Sequence, residues 1–249
     1  MRPLIAGNWK MHGLRADLQK IELVAAWAQK FESAIDVLVC PPATLIRDAT
    51  RIAEGRLEIG GQDCHPEVSG AHTGDIGAEM LRDAGASAVL VGHSERRQNH
   101  AETNALVAAK AAAAKRAGLL AVICVGETGA QRASGDALPI VGAQIVASVP
   151  AGMQAGDIAI GYEPLWAIGS GRVPTNPEIV EMHAHIRKTL VAHLGEHGRQ
   201  VRILYGGSVK PANALEILAL PEVGGALVGG ASLDDLQFEA ILASAAKSI

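Results

Sequence analysis

Eight short apolar runs recur along the chain at intervals of about 20 to 45 residues. Each run has four to six apolar residues at its centre, favours Val, Ile and Leu, and lacks alternation between apolar and polar residues. This pattern is typical of a parallel β-strand that is buried on both faces. The runs begin at Pro3, Asp36, Leu57, Ala88, Leu119, Asp157, Val201 and Gly224.

Helical patterns lie between these runs. Apolar or helix-forming residues recur at three- and four-residue steps, which predicts helices over Leu14–Lys30, Glu102–Ala117, Ile179–Leu194 and Leu236–Lys247. The last helix is expected to open near Ser232, with Asp234 and Asp235 in its first turn. Gly118 is a suitable C-terminal stop for the second helix.

Eight β/α units in 249 residues, with no linker or change in composition between them, favour a closed (β/α)8 barrel in the α/β class. An open, doubly wound sheet is the alternative, but it needs edge strands of more polar, alternating character, which the eight runs lack. We therefore expect one domain spanning residues 1–249. Aromatic residues make up only 3% of the chain, so Ala, Val, Leu and Ile must fill most of the core.

The composition restricts the partners and the compartment. A formal net charge of −4 provides no basic surface for nucleic acid or for an anionic membrane. Cys40, Cys64 and Cys124 are odd in number and widely spaced, which fits a reducing compartment better than a disulfide framework. The apolar runs are too short for a membrane span, and the N-terminus turns polar too soon for a signal peptide. We therefore expect a cytoplasmic protein.

In a (β/α)8 barrel the working face lies at the C-terminal ends of the strands. The polar and glycine residues that follow the eight runs should therefore meet in space. They are Asn8, Lys10, Gln62, Asp63, His93, Ser94, Glu95, Cys124, Glu127, Glu163, Gly206, Gly207, Ser208, Gly229 and Gly230.

The two glycine pairs, in "YGGS" and "LVGGAS", end neighbouring strands and precede helices. Glycine lets backbone N–H groups approach an anion closely, and a helix N-terminus favours negative charge. Tight turns also use glycine for geometry alone. Two pairs on the last two strands of a barrel nevertheless favour a phosphate site.

Three side chains of this set suit proton-transfer chemistry. Alone, Lys10 is best interpreted as a solvated lysine, His93 as a buried structural histidine, and Glu163 as a turn residue beside Pro164. Beside a phosphate site they supply an ammonium, an imidazole and a carboxylate. Pro164 restricts Glu163 to an extended backbone, which projects the carboxylate at the barrel mouth.

We predict no metal site and no cofactor. His183 and His185 stand two positions apart on a predicted helix and therefore face different ways. Cys64 and His65 have no partner at zinc-binding spacing.

Six motifs, in order from end to end, make the chain similar to the triosephosphate isomerase family. They are "AGNWKMH", "GHSERR", "CVGET", "GYEPLWAIGSG", "YGGSVKPANA" and "LVGGASL", beginning at Ala6, Gly92, Cys124, Gly161, Tyr205 and Leu227. The resemblance implies a TIM barrel that interconverts dihydroxyacetone phosphate and glyceraldehyde 3-phosphate in glycolysis and gluconeogenesis, by proton transfer through an enediol(ate).

The resemblance also implies a role for each matching residue. Glu163 would be the base, and His93 would be the neutral donor that moves protons between the two substrate oxygens. Asn8 and Lys10 would hold the substrate and offset its developing negative charge. Glu95 would position Lys10, and Ser94 would hold Glu163 in the unliganded state. Phosphate contacts would come from Gly169, Ser208, Gly229 and Gly230.

A lid is expected over about residues 164–174, closing on the phosphate and removing water from Glu163. Ile168 and Leu227 are the candidates for apolar walls around that carboxylate. The far hinge departs from the family, because Pro174 stands where an alanine N–H usually pairs with the tyrosine hydroxyl of "YGGS". Proline has no N–H. We expect Tyr205 to lack that bond here, Ser208 to hold the closed lid, and Pro174 to stiffen the hinge.

A dimerisation loop is expected over about residues 65–77. In the family this loop enters a neighbouring subunit, where Thr73 would reach the site near Asn8 and Lys10. "GAHTGD" departs from the family at His72, often Phe or Tyr, and at Asp75, often Glu. Asp75 would meet an arginine of the partner subunit, with Arg96 the candidate. A rim ion pair contributes little, so we expect a homodimer with Met11 at the contact.

Two alternatives stay open at this point. An isomerase of the same mechanism could act on a four-carbon ketose phosphate, because pocket walls rather than these motifs set substrate length. A non-catalytic phosphate-binding barrel is the second, and the presence of Lys10, His93 and Glu163 argues against it.

Overall fold

A computed structural model of the protein describes residues 1–168 and 172–248. Its strands close into one parallel barrel in chain order, β1 to β8. All eight predicted strands are confirmed, and with them the single-domain (β/α)8 fold. The strands are β1 (Leu4–Asn8), β2 (Asp36–Cys40), β3 (Glu58–Gly61), β4 (Ala88–Val91), β5 (Leu120–Val125), β6 (Ile158–Tyr162), β7 (Arg202–Tyr205) and β8 (Gly225–Val228).

Helices surround the barrel, and three short 3-10 turns span Arg15–Asp17, Ala43–Leu45 and Gly230–Leu233. The α-helices in the described part of the chain are α1 (Leu18–Lys30), α2 (Ile46–Ala53), α3 (Ala78–Asp83), α4 (Ser94–Asn99), α5 (Asn104–Arg116), α6 (Gly129–Ala133), α7 (Ala137–Ser148), α8 (Asn176–Leu194), α9 (Glu196–Gln200), α10 (Pro211–Leu218) and α11 (Asp235–Ala245).

The predicted start of the first helix was wrong. Residues from Leu14 were expected to be helical, but α1 begins only at Leu18, after a 3-10 turn. The Asp17 carboxylate accepts a hydrogen bond from the Leu14 amide at 2.8 Å, and the Leu14 side chain is 76% exposed. A local side-chain bond therefore replaced the first helical turn that the apolar spacing suggested.

Capping residues set the starts of the other three helices that were predicted from the sequence. Thr103 accepts from the Leu106 amide and begins α5, two residues after the predicted start. Thr175 and Glu178 form a capping box that begins α8 three residues early. Asp234, rather than Ser232, caps α11. Gly118 follows α5 with a φ of +71°, as expected of a stop signal.

The core consists of two layers, as in barrels of this kind. The interior of the barrel is filled by mostly small and aliphatic side chains, namely Leu4, Ala6, Leu38, Cys40, Ala88, Leu90, Val122, Cys124, Ala159, Leu204 and Leu227. The larger layer packs the outer faces of the strands against the helices. All three cysteines are buried and free.

Parallel register brings the C-terminal ends of all strands to one mouth of the barrel. Asn8 pairs with Cys40 across β1 and β2, and Tyr162 pairs with Tyr205 across β6 and β7. The residues just beyond these positions therefore share one rim. Within the described residues, no helix combines the length and the apolar character needed to cross a membrane.

Candidate active site

A cavity of about 350 Å³ opens at this mouth. Its walls come from the ends of β1, β4, β6, β7 and β8 and from the segment after β6. The lining residues are Asn8, Lys10, His93, Glu163, Ile168, Gly206, Gly207, Ser208, Val209, Lys210, Leu227, Gly229, Gly230, Ala231 and Gln237. The cavity thus brings together the ammonium, imidazole and carboxylate groups that the sequence placed on separate strands.

The Glu163 carboxylate is buried, with only 2% of the residue exposed, and hydrogen bonds hold it in place. Its two oxygens accept hydrogen bonds from the amide and the hydroxyl of Ser94, each at 3.0 Å. Its backbone N–H donates to Val125 and continues the β5–β6 ladder past the strand end. A Cβ at Gly126 would clash with the Glu163 carbonyl, so glycine is required for this close approach.

His93 lies beside this carboxylate, with its Nε2 3.0 Å from Glu163 Oε1. Its Nδ1 accepts a hydrogen bond from the Glu95 amide at the first turn of α4. A neutral imidazole that accepts at Nδ1 carries its proton on Nε2. Nε2 is therefore the donor that faces the cavity.

Lys10 adopts a left-handed backbone with a φ of +54°, which is uncommon for a residue other than glycine. Such a conformation costs on the order of 1–3 kcal/mol and persists where surrounding contacts fix it. Here the Lys10 amide donates to Asn8 Oδ1 at 2.9 Å, and its carbonyl accepts from Gln62 at 2.8 Å. These contacts direct the side chain over the mouth, where Nζ lies 2.5 Å from Glu95 Oε1.

The ion pair with Lys10 also stabilises the negative charge on Glu95. Partial burial by itself raises the pKa of Glu95, but the hydrogen bond from Lys10 and the positive charge of Lys10 outweigh it. The net effect is a pKa below the ordinary value. Glu95 therefore remains ionised and fixes the position of the Lys10 ammonium.

The two glycine pairs differ in whether packing within the protein requires glycine. A Cβ at Gly206 would meet the Tyr162 carbonyl, and one at Gly207 would meet the Tyr205 ring and hydroxyl. At Gly229 the nearest atom to a Cβ would be Lys10 Cε at 3.6 Å, and at Gly230 nothing lies within 4 Å. Packing therefore explains the first pair, whereas the second leaves open space that a ligand can use.

A family model described as triosephosphate isomerase matches residues 3–245. The chain is 56% identical to the triosephosphate isomerase of Afipia carboxidovorans over 97% of this chain and 96% of the relative, and 54% identical to that of Hyphomonas neptunium over 99% of each. It belongs to the triosephosphate isomerase family. The crystal structure of the Bartonella henselae enzyme superposes with a TM-score of 0.92 at 44% identity, covering 98% of this chain and 99% of that one.

Not every residue in the sequence-derived set lines the cavity. Gln62 lies behind Lys10, and Asp63 pairs with Arg96 at 2.8 Å and Lys110 at 2.6 Å. Cys124 points into the barrel interior. These three side chains therefore support the mouth without reaching the cavity. Gly169 lies outside the described residues.

Glu127 lies behind the expected lid. The carboxylate is fully buried and accepts hydrogen bonds from the Tyr162 hydroxyl at 3.1 Å and the Trp166 indole at 2.8 Å. The Arg132 guanidinium lies 4.8 Å from the Trp166 ring centroid. This contact network anchors the segment that follows Glu163.

Four residues of the cavity were missed from the sequence. Val209 and Lys210 follow the "YGGS" turn, Ala231 follows the second glycine pair, and Gln237 lies in the first turn of α11. Val209 and Lys210 could have been included by extending the set two residues beyond each turn. Gln237 carries no comparable signal, because its approach to the mouth depends on where the 3-10 turn before α11 ends.

Proposed function

We propose that the protein interconverts dihydroxyacetone phosphate and D-glyceraldehyde 3-phosphate, with Glu163 as base and His93 as the neutral proton donor. The observation that carries this proposal is the pairing of a buried carboxylate and an imidazole Nε2–H, 3.0 Å apart, in a cavity that also holds Lys10. Membership of the triosephosphate isomerase family supports the same reaction.

The chemistry follows from the placement of the donors. The carboxylate removes a proton from the carbon next to the substrate carbonyl, and the electron pair moves onto the carbonyl oxygen. The Nε2–H of His93 and the Lys10 ammonium stabilise that developing oxyanion, while Asn8 helps to hold the substrate. His93 then transfers the proton between the two oxygens, and Glu163 returns the first proton to the neighbouring carbon.

The phosphate of the substrate is proposed to bind between the two glycine turns. Ser208, Gly229 and Gly230 line that part of the cavity, and Gly169 is the further contact proposed from the lid. A Cβ at Gly229 would lie 3.6 Å from Lys10 Cε, so the Lys10 side chain runs past this turn, and its ammonium is proposed to contact the phosphate as well as the substrate carbonyl. Backbone N–H groups at such a turn bind phosphate without a bulky side chain in the way.

Residues 164–174 are proposed to act as the lid, a closure for which this family is itself a standard example. Ile168 and Leu227 line the cavity together with Glu163, which supports their assignment as apolar walls. Excluding water strengthens the interaction of the carboxylate with the substrate proton. Ser94, which now binds both carboxylate oxygens, would release Glu163 when the substrate arrives.

A homodimer is proposed, with residues 65–77 entering the partner and Thr73 approaching the site there. Met11, 94% exposed, and Val68, 52% exposed, are apolar side chains that such an interface would cover. Arg96 already binds Asp63 and Glu102 of its own chain, at 2.8 and 2.7 Å. Any contact from Asp75 of the partner subunit would therefore join an existing network. A cytoplasmic location is proposed from the glycolytic reaction.

A coupled assay tests the activity and the length of the substrate together. Purified protein should isomerise glyceraldehyde 3-phosphate at least about tenfold faster than a four-carbon aldose phosphate at equal concentration, since an added hydroxymethylene must fit a closed pocket. Equal turnover of both would support the longer-sugar alternative. Absence of turnover on either would support a binding protein.

A further inference from the structure

We propose that Arg97 is a positioning residue, which holds His93 and the strand end beside Glu163 at their working distance. The proposal rests on the proposed isomerase function and adds a residue to which no role was assigned above. Arg97 lies in α4 and does not line the cavity. Its effect on the reaction must therefore pass through the groups that it contacts.

The Arg97 guanidinium continues the link between β4 and β5 beyond the end of their ladder. The paired register of the two strands ends at Val91 and Ile123. One residue further along each strand, Arg97 Nε donates to the Gly92 carbonyl at 2.8 Å, and Nη2 donates to the Cys124 carbonyl at 3.1 Å. A single planar group thus joins the two strand ends.

Both strand ends lead directly to the reacting groups. Gly92 has a φ of +66° and begins the turn in which His93 caps α4. The other bonded carbonyl lies one residue before Val125, which accepts the Glu163 amide at 2.8 Å. The distance of 3.0 Å between His93 Nε2 and Glu163 Oε1 therefore spans two strand ends that Arg97 ties together.

Two side chains fix the guanidinium itself. Nη1 of Arg97 donates to Asn104 Oδ1 at 2.7 Å, and Nη2 donates to Ser148 Oγ at 3.2 Å. Ser148 is fully buried, and its hydroxyl donates to the same Asn104 oxygen at 3.2 Å. All four acceptors are uncharged, and burial lowers the pKa of Arg97 below its ordinary value. Desolvating a charge is costly, so this arrangement favours a role in geometry over one in stability.

The shape of arginine suits this position. Arginine presents its donors in one rigid plane, whereas lysine has a single ammonium on a flexible stem. Without the planar group the two strand ends can shift, and a shift of about 1 Å between reacting groups can lower a rate about 10²-fold. The proposed phosphate contacts Gly229 and Gly230 follow β8, away from β4 and β5. Loss of Arg97 should therefore lower kcat and leave phosphate binding nearly unchanged.

The test compares Arg97→Met and Arg97→Lys with Arg187→Met in the full-length protein. Arg187 is the matched control, because its guanidinium also bonds a backbone carbonyl but lies on α8, against Glu222 and Gly198. For Arg97→Met we expect kcat to fall at least about tenfold, with less than about a threefold change in the inhibition constant of inorganic phosphate. The kcat of Arg97→Lys should lie between those of Arg97→Met and the wild type, and Arg187→Met should match the wild type.

The proposal is overturned if kcat of Arg97→Met falls less than about tenfold, or if phosphate inhibition weakens by the same factor as kcat. It is also overturned if Arg187→Met loses as much kcat. Circular dichroism shows whether each variant is folded. Should Arg97→Met not fold, Arg97→Lys decides the question, since an unchanged kcat in that variant overturns the proposal.

A crystal structure of Arg97→Lys separates this inference from the proposed function. The distance between His93 Nε2 and Glu163 Oε1 should increase from 3.0 Å to more than about 3.5 Å, beyond hydrogen-bonding range. An unchanged distance would overturn the positioning role. An inactive wild type would instead overturn the proposed function, and the measured distance would still decide whether Arg97 positions these groups.

Discussion

His183 on α8 is fully buried, and one of its ring nitrogens is satisfied. Its Nδ1 lies 3.1 Å from the Glu222 carbonyl, whereas its Nε2 has no hydrogen-bond partner among the residues that the structure describes. Burial lowers the pKa of His183 from 6.5 to about 4. The imidazole is therefore neutral in the folded protein down to mildly acidic pH.

This lowered pKa predicts a loss of stability in acid. Below pH 6.5 the unfolded chain binds a proton at His183 that the folded chain does not bind until about pH 4. The free energy of unfolding should therefore fall with pH through this window, by ~2 kcal/mol between pH 7 and pH 5 from this residue alone. Urea unfolding at the two pH values, at fixed protein concentration, measures it.

His183→Gln is the informative variant, because it removes the titrating group while keeping a polar side chain. It will be less stable at both pH values, but its difference between pH 7 and pH 5 should be ~2 kcal/mol smaller than that of the wild type. An equal difference in both proteins would show that His183 does not contribute.

Individual site residues could be predicted wherever a side chain follows a strand directly. Asn8, Lys10, His93 and Glu163 line the cavity as expected, because strand ends in a barrel share one mouth. The left-handed backbone of Lys10 could not be predicted. It depends on Gln62, a residue distant in sequence, whose side-chain amide donates a hydrogen bond to the Lys10 carbonyl.

At the scale of elements, the two tyrosines at the ends of β6 and β7 make a matched pair. The Tyr162 hydroxyl donates to the buried Glu127 carboxylate at 3.1 Å. The Tyr205 hydroxyl has no hydrogen-bond partner within the described ranges, 1–168 and 172–248, and Pro174 offers no N–H. The two hydroxyls therefore differ in what their removal should do.

Tyr205→Phe should change the free energy of unfolding by less than ~0.5 kcal/mol and kcat/KM by less than about threefold, because it removes an unpaired hydroxyl. Tyr162→Phe should cost ~1–3 kcal/mol, because it leaves a buried carboxylate short of a donor. Thermal melts and the coupled assay measure both. If Tyr205→Phe reduced kcat/KM as much as Ser208→Ala, the lid would depend on that hydroxyl and our hypothesis for Pro174 would fail.

Element boundaries could be predicted only in part. Strand positions followed from runs of Val, Ile and Leu, since burial on both faces leaves few other choices. Helix starts depended on single hydrogen bonds, such as that from the Leu14 amide to Asp17, which apolar spacing does not encode. The capping box of Thr175 and Glu178 can be recognised in the sequence, but a prediction based on apolar spacing alone misses it.

At the scale of the whole molecule, the proposed dimer should dissociate when a charge is introduced at its contact surface but not when one is introduced elsewhere. The chain has a mass of 25.8 kDa, so a dimer should elute at roughly 52 kDa, twice that value. Met11→Arg should shift the population toward the monomer and reduce activity, because a charge would be buried at the contact. Leu236→Arg, at an apolar residue that is 79% exposed on α11, is the control and should remain dimeric.

Gel filtration with light scattering gives the mass of each variant directly. A wild-type chain that is active as a monomer would contradict the dimer, whatever the behaviour of Met11→Arg. A monomer in both arginine variants would show that added charge, rather than position, disrupts the assembly.

The barrel itself could be predicted from sequence because its pattern repeats eight times, so one misread unit changes little. The cavity could be predicted less fully. Gln237 reaches it from α11, and its position depends on how far the preceding 3-10 turn advances the chain. Contacts of this kind arise from closure of the whole ring and have no local sequence signal.

Isomerisation of glyceraldehyde 3-phosphate by the wild type and by Glu163→Gln tests the central claim most directly. The amide keeps the size of the side chain but cannot accept the substrate proton, so kcat should fall by at least about 10²-fold, the lower range for a positioned general base. Glu196→Gln, at an exposed position, should match the wild type. Equal rates for Glu163→Gln and the wild type would contradict the assignment of the base.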